Sequence, residues 1–154
     1  MNKAILRSKF KQSRSELPDF QVSSLSLEIA NQLKKLAWPP INTLSTYKQI
    51  KKNNEVDPEP FVNWMNKQYP DINVYQEDTS GNFGLQAYDL IIVPCLAADR
   101  RGYRLGYGGG HYDKFLLSQT RALKLGLCYG ITLVDELPKE SHDIPLDLIA
   151  YEGG

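Results

Sequence analysis

The sequence has no long apolar run, few cysteines and no net charge. Its most apolar stretch, residues 90–98, contains Pro94 and is too short to span a bilayer. Cys95 and Cys128 are the only two cysteines, and both lie in apolar stretches, which favours buried free thiols over a disulfide or a catalytic thiol. The 18 basic residues balance the 18 acidic ones, so charge favours neither nucleic acid nor a membrane as partner. No signal-peptide core follows the basic N-terminus, and we expect a cytoplasmic protein.

The order of apolar patterns predicts a single domain over residues 1–154. A basic helix is expected at residues 3–15, followed by an amphipathic helix with apolar residues three and four apart between residues 22 and 36. Residues 89–93 are rich in Ile and Val, as in a strand covered on both faces. The other predicted elements are strands at 41–47, 72–75, 123–129 and 146–151, a helix from Asp57 to Tyr69, and a loop at 76–87. This alternation predicts a Rossmann-like three-layer α/β/α sandwich with a mostly parallel sheet.

A glycine-rich segment is the most distinctive feature. Residues 104–115 read RLGYGGGHYDKF, with four glycines within five positions. Because glycine lacks a Cβ, the backbone amides of such a segment can approach an anion closely, and a helix starting there would add its unpaired amides. Arg100, Arg101 and Arg104 can donate charge-assisted hydrogen bonds, and Asp113 can face a metal ion carried by phosphates. We therefore predict a phosphate-binding turn between a strand and a helix.

The common nucleotide fingerprints do not match this segment. It has no Gly-Lys-Ser/Thr ending, and it lacks the dinucleotide-binding spacing with an acidic residue about twenty positions further on. An ordinary loop or tight turn is the alternative interpretation of the glycines. The arginines before them and the aromatic residue and aspartate after them argue against it.

Residues 89–116, DLIIVPCLAADRRGYRLGYGGGHYDKFL, closely resemble the central motif of the 5-formyltetrahydrofolate cyclo-ligase family. Weaker similarities follow in the family's order along the chain. They are KAILR at residues 3–7 with Arg14 and Leu17, NEVDP at residues 54–58, and LVDELPKESHDIPLD at residues 133–147. The central motif is specific, whereas the others alone would be weak.

The resemblance implies an ATP- and Mg²⁺-dependent enzyme that converts 5-formyltetrahydrofolate to 5,10-methenyltetrahydrofolate, releasing ADP and phosphate. The formyl oxygen would attack the γ-phosphate, and N10 would then close the ring as phosphate leaves. Such chemistry depends on positioning and charge neutralisation more than on a protein nucleophile. The implied partners are folate and ATP, without nucleic acid or membrane, and we expect a monomer.

The resemblance also implies roles for individual residues. Those expected to bind the nucleotide are Lys3, Arg7, Arg14, Gly106, Gly108, Gly109 and Gly110. Arg104 and Tyr112 are the expected catalytic residues, Glu55 and Tyr47 would contact folate, and Asp113 and Asp143 would hold Mg²⁺.

Each of these roles has a plainer alternative. The basic residues of the first helix could form a solvated face, and Asp143 could be a turn residue. Glu55 could be an exposed acid on a polar loop, and Tyr47 could belong to the core. His111 and His142 are too few to indicate a histidine-based metal site.

The sequence departs from the family on the folate side. The segment between Tyr75 and Asp89 is shorter than in typical members and lacks their Gly-Ile-x-Glu-Pro element. Thr132, Tyr151 and Pro58 stand where Gln, Thr and Thr are expected. Two alternatives stay open: a shortened homologue that binds nucleotide or phosphate without catalysis, and a different small α/β enzyme such as a sugar-phosphate isomerase.

Overall fold

The computed structural model describes residues 2–77, 86–107 and 111–154. The helices in these ranges are α1 (Lys3–Ser15), α2 (Asp19–Lys34), α3 (Glu59–Gln68) and α4 (His111–Ser118). The strands are β1 (Thr43–Tyr47), β2 (Asn73–Glu77), β3 (Leu90–Pro94), β4 (Ala97–Asp99), β5 (Arg104–Leu105), β6 (Leu123–Leu127), β7 (Leu133–Val134) and β8 (Leu148–Ala150). Short 3₁₀ turns lie at Lys51–Asn53 and Gly130–Thr132.

Five strands form a central parallel sheet in the order β2-β1-β3-β6-β8. The chain enters at β1, adds β2 on one side and then returns to place β3 on the other side of β1. Counting only the strands of this sheet, the order is 2-1-3-4-5, one of the two common doubly wound orders. In such sheets a ligand binds outside the carboxyl ends of the strands where the order reverses, which is here between β1 and β3.

Strand β3 is the centre of the core. All five of its residues are buried, as the continuous apolar run predicted. Leu90 and Ile92 pack into a cluster with helices α2 and α3, whereas Ile91 and Val93 pack into a second cluster with α4. Successive side chains of a strand point to opposite faces, so the sheet lies between helices on both sides. The predicted α/β/α sandwich is therefore confirmed.

A second, three-stranded sheet in the order β5-β4-β7 follows the end of β3. Strand β4 pairs antiparallel with β5 and parallel with β7, and helix α1 packs on this sheet through Phe10. The sequence did not indicate these strands, because two or three residues are too few to show a periodicity. The strand before the glycines therefore belongs to the small sheet and not to the central one.

Strand β2 extends further along the chain than the sequence pattern predicted. Gln76 and Glu77, which were predicted to lie in a loop, continue β2 and pair with Thr46 and Tyr47.

No helix in the described part of the chain has the length and apolar character needed to cross a membrane. That residues 1–154 form one domain stays a prediction.

Candidate active site

Arg14 lies at the centre of a group of residues beyond the carboxyl ends of β3 and β6. Its side chain is buried, and its Nη1 donates to the carbonyl of Cys95 at 3.1 Å. Its guanidinium lies over two rings, 5.8 Å from the centroid of Tyr107 and 5.6 Å from that of Tyr129. Its Nε and Nη2 have no hydrogen-bond partner among the described residues. A buried guanidinium with unpaired donors favours an anionic ligand.

Helix α1 brings two more basic residues to the same region. Lys3, Arg7 and Arg14 are four and seven positions apart and share one face of the helix. Lys3 Nζ donates to Asp143 Oδ2 at 2.8 Å, and Arg7 Nε donates to the carbonyl of Gly106 at 3.0 Å. A purely solvated basic face is therefore wrong for these three residues.

Arg104 projects from β5 toward the same strand end. Its Nη2 donates to the carbonyl of Pro94 at 3.1 Å, and its guanidinium lies 5.4 Å from the centroid of the Tyr112 ring. Its Nη1 lies 3.8 Å from Asp113 Oδ1, and its Nε has no partner among the described residues. A Cβ at Gly106 would lie 2.6 Å from Arg104 Nη2. Glycine at this position therefore leaves room for the guanidinium.

Asp113, His142 and Asp143 form a candidate metal centre. One ligand atom from each lies within 4.8 Å of the other two. The carboxylates fit Mg²⁺, which prefers oxygen ligands, and the imidazole adds a possible nitrogen ligand. Partial burial raises the pKa of Asp143, but hydrogen bonds from Lys3 and from the backbone N of Glu140 outweigh it and hold this pKa below its ordinary value.

Glu55 is buried within reach of the charge of Arg14. Its side chain has an exposed fraction of only 4%, so the interpretation as an exposed loop acid is wrong. Its Oε1 accepts from the backbone N of Ile50 at 2.6 Å. Burial raises the pKa of Glu55, and the bond from Ile50 and the positive charge of Arg14 offset only part of this rise.

Tyr47 belongs to the main core cluster. Its hydroxyl donates to the carbonyl of Val56 at 2.6 Å, and its side chain is buried. These contacts favour the core alternative, and a contact of Tyr47 with folate stays a prediction.

Two arginines expected at the phosphate turn lie elsewhere. Arg100 Nε donates to Asp135 Oδ1 at 2.7 Å on the surface, and Arg101 Nη2 donates to Asp99 Oδ2 at 2.8 Å and to the carbonyl of Leu137 at 2.7 Å. Of the three arginines before the glycines, only Arg104 reaches the site. Gly108, Gly109 and Gly110 lie outside the described residues, so their expected contacts with phosphate stay predictions.

Three residues of the site were missed at the sequence level: Tyr107, Tyr129 and His142. Burial raises the pKa of Tyr107 to about 12 and also raises that of Tyr129, so both phenols stay neutral beside Arg14. The position of Tyr107 among the glycines was a usable signal. His142 had none beyond its adjacency to Asp143, because a single loop histidine has no characteristic spacing.

The family becomes clear from comparison with known proteins. The profile of the 5-formyltetrahydrofolate cyclo-ligase family matches residues 15–152. The chain belongs to this family. The 5-formyltetrahydrofolate cyclo-ligase of Mycoplasma pneumoniae is 29% identical over 163 aligned residues, covering 97% of this chain and 98% of that protein. The cyclo-ligase of Escherichia coli K12 is 39% identical over 67 residues, covering 42% of this chain and 37% of that protein.

Solved structures agree with this assignment. A 5,10-methenyltetrahydrofolate synthetase from Mycoplasma pneumoniae superimposes with a TM-score of 0.82 and 27% identity, covering 99% of each chain. The corresponding synthetase from Aquifex aeolicus gives a TM-score of 0.78 and 28% identity, covering 100% of this chain and 91% of that one. The cyclo-ligase assignment made from the central motif is confirmed, and an unrelated sugar-phosphate isomerase is excluded. The family implies an ATP-dependent reaction.

The near-complete match also bears on the short segment between Tyr75 and Asp89. The alignment spans 98% of the Mycoplasma pneumoniae protein, so little of that cyclo-ligase lacks a counterpart here. The shortness of the segment is therefore no argument against a catalytic member of the family.

Proposed function

We propose that this chain converts 5-formyltetrahydrofolate to 5,10-methenyltetrahydrofolate in a reaction that consumes ATP and requires Mg²⁺. One observation carries the nucleotide half of the proposal. Arg104 and Arg14 bind the carbonyls of two consecutive residues, Pro94 and Cys95, at the end of β3. Two guanidinium groups are thus both held at the carboxyl end of β3, next to the switch point of a doubly wound sheet.

Such an arrangement is electrostatically unfavourable without an anion. Burying a charged guanidinium costs free energy, and both arginines retain nitrogen donors without partners in the described chain. A triphosphate would compensate both positive charges and accept those hydrogen bonds. Lys3 and Arg7, on the same face of α1, would extend the positive region along the phosphate chain.

The acidic residues complement these cations. Asp113 and Asp143, with His142 as a third ligand, would hold the Mg²⁺ that accompanies the nucleotide. Such an ion would supply positive charge that offsets the negative charge of the phosphates. Because the metal carboxylates and Arg104 lie together, the γ-phosphate would meet both the ion and the guanidinium.

Glu55 would recognise the folate. The pteridine ring carries N–H groups, and a buried carboxylate is a strong acceptor for such donors. Glu55 is buried on the β1–α3 connection and feels the charge of Arg14. This position supports a folate site next to the phosphate site.

The chemistry then requires little from a protein nucleophile. The formyl oxygen attacks the γ-phosphorus and ADP leaves; N10 attacks the activated formyl carbon, loses its proton, and phosphate departs as the ring closes. Arg104 would neutralise charge on the transferring phosphoryl group, and its contact with the ring of Tyr112 supports this orientation of the guanidinium. The chain would act on small molecules as a cytoplasmic monomer, and its balanced charge gives no reason to expect a nucleic-acid partner.

The absorbance of the methenyl product tests this proposal. We expect product only when 5-formyltetrahydrofolate, ATP and Mg²⁺ are all present, with one ADP released per product. A homologue that only binds nucleotide or phosphate would bind Mg-ATP without forming product. That result would sink the catalytic assignment while leaving the phosphate site in place.

A further inference from the structure

Lys3 lies close to two carboxylates, one of which belongs to the candidate metal centre. Its Nζ lies 2.8 Å from Asp143 Oδ2 and 3.9 Å from Glu140 Oε1. The side chains of Lys3 and Asp143 are only 20% and 11% exposed, so water screens this contact less than it would on the surface. Lys3 is also one of the residues proposed to bind phosphate. The same ammonium group would therefore bind Asp143 when no nucleotide is present and the phosphates when nucleotide is bound.

Asp113 has a similar neighbour. Arg104 Nη1 lies 3.8 Å from Asp113 Oδ1. Each proposed metal carboxylate thus contacts a protein cation, and the three candidate ligand atoms span no more than 4.8 Å. A divalent cation bound among them would come within a few ångströms of both Lys3 and Arg104, and at such distances like charges repel.

We propose that Lys3 and the divalent cation compete for Asp143, and that the nucleotide phosphates end this competition by drawing Lys3 away. The inference rests on the proposed nucleotide site and concerns how that site is filled. Metal and nucleotide bind cooperatively, since each removes an obstacle to the other. The free protein holds the metal weakly, and the ion enters mainly as part of the nucleotide complex.

The variant Lys3→Met tests this competition. It removes a residue proposed to bind the nucleotide, and yet we expect it to bind the metal ion more tightly. The substitution removes the ammonium group and keeps an apolar stem of similar length. Without nucleotide, we expect Mn²⁺ to bind the variant roughly tenfold more tightly than the wild type, since one nearby positive charge is gone. We also expect weaker binding of ADP, and a smaller gain in nucleotide affinity on adding Mn²⁺.

The measurement uses the full chain, with free Mn²⁺ followed by electron paramagnetic resonance and ADP binding by calorimetry with and without Mn²⁺. Lys9→Met is the matched control. It removes the same charge from an exposed position on the same helix and should leave Mn²⁺ affinity unchanged. Adding Asp143→Asn to Lys3→Met should abolish the tighter binding, which locates the ion at this carboxylate.

Equal or weaker Mn²⁺ binding by Lys3→Met would overturn the inference, as would tighter binding that survives Asp143→Asn. None of these measurements involves folate or turnover. If the Mn²⁺ results hold but no methenyl product forms, only the proposed reaction fails. If product forms and Lys3→Met leaves Mn²⁺ affinity unchanged, only the competition fails.

Discussion

Replacing Arg104 with alanine removes the guanidinium proposed to face the γ-phosphate. The side chain is 8% exposed and lies beside Asp113, so its charge acts where water is largely excluded. Deleting one preorganised group that stabilises transition-state charge typically costs about 3–4 kcal/mol. We therefore expect kcat to fall about 100- to 1,000-fold in Arg104→Ala.

The same substitution should affect stability much less. It removes the hydrogen bond to the carbonyl of Pro94, worth about 1 kcal/mol, and some packing on the Tyr112 ring. Against these losses, it removes a buried Nε that lacks a partner among the described residues. A net destabilisation of about 1–2 kcal/mol is expected, which leaves a domain of ordinary stability folded at 25 °C.

The assay combines steady-state kinetics with urea unfolding. Arg100→Ala is the matched control, because Arg100 lies on the same segment, is exposed, and pairs with Asp135 away from the site. It should change neither kcat nor the unfolding midpoint appreciably. Arg104→Lys, which keeps the charge but loses the planar fork, should fall between wild type and alanine. A folded Arg104→Ala with unchanged kcat and nucleotide affinity would refute the reasoning.

Three other substitutions test the packing and the folate side. Gly126→Ala should lower the free energy of unfolding by about 1–3 kcal/mol, because the added Cβ would lie 2.8 Å from Cys95 Sγ; thermal unfolding measures this. Gly106→Ala should reduce kcat with a stability loss below about 1 kcal/mol, because its Cβ meets only the movable end of Arg104. Glu55→Gln should weaken folate binding and spare ATP. Because the folded pKa of Glu55 is raised, the stability of wild type relative to this variant should fall as pH rises from 4.5 through the folded pKa.

Each of these three substitutions has a control variant or an outcome that would contradict the expectation. Gly154→Ala places its Cβ at an ordinary 3.4 Å from the Tyr151 hydroxyl and should leave the melting temperature unchanged. If Gly106→Ala acts through Arg104, then combining it with Arg104→Ala should add little further loss. A fall in ATP affinity in Glu55→Gln would place this carboxylate on the nucleotide side. Parallel stability curves for Glu55→Gln and wild type across pH would contradict its raised pKa.

Most of the central sheet could be predicted because its strands are long enough to show their pattern. The buried run of β3 and the spacing of apolar residues in α2 each correspond to an observed element. The small sheet could not be predicted, since β5 and β7 have two residues each.

The candidate site, like the fold, could be predicted only in part from the sequence. The residue types needed for phosphate and metal were visible along the chain, and the glycine-rich segment marked where to look. Which arginines would reach the site was not visible. Arg100, Arg101 and Arg104 look alike in sequence. Of these three, only Arg104 has its side chain at the carboxyl end of β3, where it binds the carbonyl of Pro94.

The sequence alone determined the layered fold, the family and the chemical types of the site, since periodicity and local motifs depend on near neighbours along the chain. Only the tertiary structure decided which of those groups meet. Lys3 and Asp143 are 140 positions apart, and Arg14 reaches Cys95 across 81 positions. Contacts over such separations follow from how helices and sheets pack, so neither the buried state of Glu55 nor the joining of His142 to two carboxylates could be seen beforehand.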